Sequence, residues 1–167
     1  MNVLDRRLIE DVAGRLRSDP GLVEKDWHVT RAIGVLAGFD HGGAVPAFGG
    51  GTSLSKGWGP IKRFSEDIDF KVSTPAGVSR NKAKKQRSAY QRVLGALTDA
   101  GFVLAGEPSK RDENRFFSAD LFYPSMFDAG PGLRPHIRVE MSLMPPALPP
   151  IARPIGSLIG AAQDQAT

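Results

Sequence analysis

The chain contains no cysteine, which excludes a disulfide framework, a thiolate nucleophile and a cysteine-based zinc site. Its three histidines, His28, His41 and His136, are scattered without metal-ligand spacing. No apolar run approaches a membrane span, and the N-terminus lacks the charged-then-apolar pattern of a secretory signal. These absences make a cytoplasmic protein with no membrane partner the expectation. Aromatic residues are also few, at 8% of 167, yet 41% hydrophobic residues suffice for one good core. A net charge of +4 suits a polyanionic partner without demanding one.

What the chain does have is concentrated between Phe48 and Phe70, in FGGGTSLSKGWGPIKRFSEDIDF. Side chains alternate along a strand, so Ile68, Phe70 and Val72 share one face while Asp67, Asp69 and Lys71 share the other. Two carboxylates side by side on one strand repel, and a cation between them relieves the cost. Asp67 and Asp69 therefore form a candidate divalent metal site. Upstream, a short apolar strand over 44–48 runs into Gly49-Gly50-Gly51, and a helix is expected from near Thr52. Without Cβ atoms the turn lets a bulky group approach the backbone. Free N–H groups at a helix start, backed by the Thr52 and Ser53 hydroxyls, suit phosphate oxygens. A phosphate cradle of Gly50, Gly51, Thr52 and Ser53 beside paired aspartates is equipment for metal-assisted nucleotidyl transfer. Mg²⁺ (or Mn²⁺) fits such an all-oxygen site. Lys56, one turn into the helix, could reach a triphosphate, and Lys62 or Arg63 could neutralise a leaving pyrophosphate.

Strand, glycine turn, helix and DxD strand, in that order, resemble the polymerase-β-like nucleotidyltransferases. The wording GGTSLSK…RFSEDIDF is similar to the AbiEii/AbiGii toxin branch, whose members typically read GGT-x-LSK…RFSEDIDL. The segment LVEKDWHVTR over 22–31 agrees with the helix that precedes the glycine turn in those proteins. The resemblance implies a metal-dependent nucleotidyltransferase, the toxin of an AbiE-type toxin–antitoxin system. It would move a nucleotide from an NTP to an acceptor hydroxyl of tRNA, with an antitoxin protein as partner. It also implies a third carboxylate on a neighbouring strand. In HIRVEMSL, Glu140 lies on the polar face of a strand over 136–143 and is the candidate, either as metal ligand or as general base. Asp120 is the runner-up; an ion pair of Glu140 with Arg138 or Lys71 is the bland alternative. Lys25 and Asp26 read as a structural pair, Glu66 as a turn residue facing away from the aspartates, and Trp27 and Trp58 as packing.

Apolar periodicity predicts helices over 2–17, stopped by Asp19-Pro20-Gly21, and over 22–36. The segment SRNKAKKQRSAYQRVLGAL concentrates Arg80, Lys82, Lys84, Lys85, Arg87 and Arg92 and ends as an amphipathic helix with Tyr90, Val93, Leu94 and Leu97 inside. Its basic end suits RNA backbone or a plain solvated face. Strands follow over 102–105 and 115–123, separated by a polar loop over 106–114. The expected fold is α+β, a minimal nucleotidyltransferase core with a mixed β-sheet and helices packed on it. Residues 1–144 form that core, with N-terminal helices over 1–43 and the sheet with its catalytic strands over 44–144. Residues 145–167 read as a proline-rich linker and tail leading to a missing helical half. A non-catalytic binding module of the same fold, or nucleotidyl transfer to a protein or small molecule, remains the alternative.

Overall fold

A computed structural model describes residues 4–39, 45–59, 66–73, 82–112, 115–128, 130 and 132–164, with backbone only for 82–89. Helix α1 (Arg6–Leu16) is opened by Asp5, whose carboxylate accepts the Arg7 amide, and closed by Arg17 in the left-handed region. Asp19 accepts the Gly21 and Leu22 amides and Pro20 takes the first position of α2 (Pro20–Gly38). Asp-Pro-Gly is therefore a start signal for the second helix as much as a stop for the first.

Strand β1 (Val45–Gly49) leads directly into α3 (Gly50–Trp58). Then come β2 (Asp67–Ser73), α4 (Lys82–Asp99), β3 (Val103–Leu104), β4 (Ser109–Arg111), β5 (Phe116–Phe122), β6 (Ile137–Ser142) and α5 (Leu158–Asp164). The sheet runs β1-β2-β6-β5-β3, with β4 also on β5. Among the described residues, only β2 and β6 pair in parallel; the other ladders are antiparallel. The mixed sheet matches the expected fold.

Two expectations need correction. The polar stretch 106–114 contains β4, whose Ser109, Lys110 and Arg111 pair with Ser118, Phe117 and Phe116. All three are exposed, so no apolar alternation marks the strand. The proline-rich tail ends in a docked helix, with Ile159 buried beside Ile9, Val12 and Val23.

One sheet face builds the main core. Ile68, Phe70, Val72, Phe117, Ala119, Leu121, Ile137, Val139 and Met141 are buried against Val29, Ile33 and Leu36 of α2 and Tyr90, Val93 and Leu97 of α4. The alternate residues of β2, β5 and β6 are only partly buried or exposed, which leaves a polar face for chemistry.

Candidate active site

The parallel ladder sets Asp69 opposite Glu140 and Asp67 opposite Arg138. Two carboxylates on adjacent strands in register are forced together. Burial raises the Asp69 carboxyl above its ordinary range and repulsion from Asp67 adds to it, against a hydrogen bond from Glu140. Glu140 is raised too, by burial and then by Asp69 and Asp67. Each carboxyl therefore disfavours the ionised form of the other. Arg138 offsets this only in part, because its guanidinium forks onto Asp120 at 2.7 and 2.9 Å. That contact holds Asp120 below the usual carboxylate range and commits it as the partner of Arg138.

The glycine turn abuts this pair. Gly49 is extended, Gly50 has φ +68 and already begins α3, two residues before the expected start at Thr52, and no side chain caps the helix. A Cβ on Gly50 would sit 2.0 Å from Asp69 Oδ2, so the carboxylate occupies the space that the glycine leaves. Gly51 follows within the first helical turn. Thr52 is buried, and its hydroxyl donates to the Asp67 carbonyl, tying α3 to β2. Ser53 donates to the Gly50 carbonyl at 2.9 Å. Both hydroxyls brace the turn here. Arg63, Lys62 and the basic residues Arg80 to Arg87 lie outside the described side chains; Arg92 is exposed on α4, whose inner stripe is as expected.

The conspicuous charges of α2 face elsewhere. Glu24, Lys25 and Asp26 are all buried, and consecutive helix positions point about 100° apart, so each engages a different segment. Glu24 accepts the Ser125 hydroxyl and the Met126 amide, both at 2.7 Å, and the Phe127 amide. Lys25 donates to Glu66 and to the Arg134 carbonyl. Asp26 pairs with Lys56 at 2.6 Å and accepts the Leu158 amide at 2.8 Å. Lys25 and Asp26 are structural residues, but not partners of each other. Lys56 also donates to Thr30 and the Gly156 carbonyl, which places its ammonium on the α2 and tail side of α3. Trp27 packs edge-on against His28, and Trp58 lies under Arg153 at the rim.

Arg134 carries no sequence signal beyond its being a lone cation in a turn-rich stretch. Its guanidinium meets Asp67 Oδ1 at 2.8 Å, and its amide donates to Glu66 at 2.9 Å. Glu66 is therefore the link between Lys25 and Arg134, which corrects its reading as a turn residue.

The donor chemistry fits a hard divalent cation: Asp67, Asp69 and Glu140 offer oxygens only, and the repulsion between Asp69 and Glu140 is only partly offset by Lys71 and Arg138. Among the described residues, no three carboxylates or imidazoles converge tightly enough to form a metal cluster. Asp67 is turned to Arg134 instead.

A DxD strand flanked by a glycine turn and a carboxylate-bearing parallel strand, all on the open face of a helix-backed mixed sheet, is a nucleotidyltransferase fold. Residues 36–166 match the nucleotidyl transferase AbiEii toxin family, described as a type IV toxin–antitoxin system, and the chain belongs to that family. The family match begins after the EKD segment of α2. Among solved structures, the chain is similar to MenT4, a nucleotidyltransferase toxin from Mycobacterium tuberculosis H37Rv, at 24% identity and a TM-score of 0.58. The match covers 96% of this chain and 51% of that one, so this chain spans about half the neighbour's length. No curated protein matches. No helix among the described residues is long and apolar enough to cross a membrane.

Proposed function

We propose that this chain is the nucleotidyl-transferring core of a cytoplasmic toxin. It would move a nucleotide from an NTP to an acceptor hydroxyl of tRNA, held in check by an antitoxin protein. The observation that carries the reading is the frustrated Asp69–Glu140 carboxyl pair held in register beside the Gly50 turn. Asp67, Asp69 and Glu140 would hold Mg²⁺ or Mn²⁺. The cation would polarise the phosphate and stabilise the oxygens that attack and leave.

The residues of the chain supply the rest. Gly50, Gly51 and Ser53 bring α3's uncapped N-terminus to the triphosphate, with Thr52 fixing that turn to the aspartate strand. The acceptor oxygen attacks the α-phosphorus, the bond to the β-phosphate oxygen breaks, and pyrophosphate leaves with the electron pair. Glu140, once ionised, takes the acceptor hydroxyl's proton.

The test incubates the chain with bulk tRNA, Mg²⁺ or Mn²⁺ and each labelled NTP in turn, with binding of each NTP measured in parallel. Labelling of tRNA that disappears with Asp69→Asn supports the proposal. Binding of NTP and metal without transfer to tRNA, protein or small molecule would make the chain a binding module and overturn it.

A further inference from the structure

Arg134 is held as few surface arginines are. Its amide donates to Glu66 and its carbonyl accepts from Lys25, so both backbone polar groups are clamped by one ion pair. Lys25 is 1% exposed and Glu66 13% exposed at the side chain, whereas the Arg134 side chain is 37% exposed. The backbone is thus held by the ion pair, while the guanidinium is partly exposed, with its Nε 3.8 Å from Glu66. That guanidinium lies on Asp67, which is also partly exposed at 40%. A pair in such an exposed setting is worth little, about 1 kcal/mol or less, and exchanges readily. Asp67 is the member of the proposed three-carboxylate set that meets this guanidinium. Neither Lys56 nor any other cation seen in the described site stands in this position, since Lys56 is committed to Asp26 and Thr30.

We propose that Arg134 is the exchangeable counter-ion of the site. In the free protein it occupies Asp67; a divalent cation displaces it, and the freed guanidinium binds the nucleotide's terminal phosphates. A planar fork suits phosphate oxygens as well as it suits a carboxylate. This inference rests on the proposed function for its second half only, because competition for Asp67 requires no nucleotide.

The experiment compares wild type, Arg134→Gln and Arg134→Lys, with Arg15→Gln as a control that removes an exposed charge on α1. Gln keeps the backbone amide and carbonyl, so the Lys25–Glu66 clamp persists; matched thermal unfolding verifies it. Mn²⁺ alone is titrated by electron paramagnetic resonance, and then NTP, NDP and NMP are titrated at saturating Mn²⁺. Arg134→Gln is expected to bind Mn²⁺ about threefold or more tightly and NTP about tenfold more weakly. The loss should shrink from NTP to NMP, with Arg134→Lys between the two and Arg15→Gln near wild type. Unchanged Mn²⁺ affinity in a folded Arg134→Gln protein overturns the inference whatever nucleotide does. Tighter Mn²⁺ binding with undiminished NTP affinity overturns the transfer to phosphate. Failure of wild type to bind any nucleotide sinks the proposed function instead, and the Mn²⁺ titration still decides the competition for Asp67.

Discussion

The chain buries charge in two places and treats it in opposite ways. On α2, Glu24, Lys25 and Asp26 are withdrawn from water and each is met by defined partners. On β2 and β6, Asp69 and Glu140 are less buried yet face each other, and the nearest arginines serve Asp67 and Asp120. Satisfied charge stabilises an architecture, because removing one partner strands the other. Frustrated charge costs stability and waits for a ligand. The difference is what favours β2 and β6 as the proposed site over the EKD segment, although that segment is the more charged of the two.

The sharpest break in that comparison is Asp69→Asn. It should reduce the proposed nucleotide transfer by ~10³-fold or more, about 4 kcal/mol. The melting temperature should hold or rise, because repulsion is removed. Labelling assays and differential scanning calorimetry on the same preparation read both, and a large fall in melting temperature would erase the contrast with α2. The converse is Lys25→Met, which leaves Glu66 and the Arg134 carbonyl without their buried donor. A loss of about 3 kcal/mol in urea unfolding is expected; a loss below about 1 kcal/mol would mean that the α2 charges are not structural.

Much of this was legible beforehand, and the reason is local. Alternation in DIDF and HIRVEM reads directly as faces, and the glycine turn reads directly as open backbone. The sheet then needed only the parallel β2–β6 register to bring Asp69 to Glu140. Partnerships between distant segments carry no such period. Lys56 reads as a phosphate ligand because its distance from the glycines is visible and Asp26, on another helix, is not. Arg134 reads as turn filler because its partner lies 67 positions away. Likewise β4 lacks alternation, and α5 is too short to show a period before Ile159 finds its site on α1 and α2.

A smaller effect separates a third kind of buried group. His28 stacks on Tyr123 at 4.2 Å, and burial pushes its imidazole down to about 4. The folded chain therefore holds fewer protons than the unfolded one between that value and the ordinary 6.5. This contribution is fully present above pH 6.5 and is lost as pH falls towards 4, up to about 3 kcal/mol. His28→Phe should flatten the acid limb of a stability–pH curve; an unchanged limb would assign acid unfolding to other groups.

The smallest effect belongs to the frustrated pair and has the opposite sign. Raised carboxyls bind more protons folded than unfolded, so their contribution declines as pH rises above the ordinary carboxylate range. Glu140→Gln should remove that slope, roughly 1 kcal/mol or less given the pair's partial exposure. Mn²⁺ affinity of the wild type should rise over the same interval, because a carboxylate binds the ion in its ionised form. A pH-independent Mn²⁺ affinity would mean that this pair does not hold the ion.

The reach of the α2 partnerships also imposes an order on synthesis. Glu24 waits for Ser125 and Met126, and Asp26 for Leu158, 132 residues downstream. At ~5–20 residues per second, the helix emerges from the ribosome roughly 7–26 s before its last donor amide. Until then Asp26 has Lys56 as a partner but not its second, and Glu24 has none of its amide donors before Met126 is made. The buried charges of α2 are thus fully met only after the strand that carries Glu140 has been synthesised.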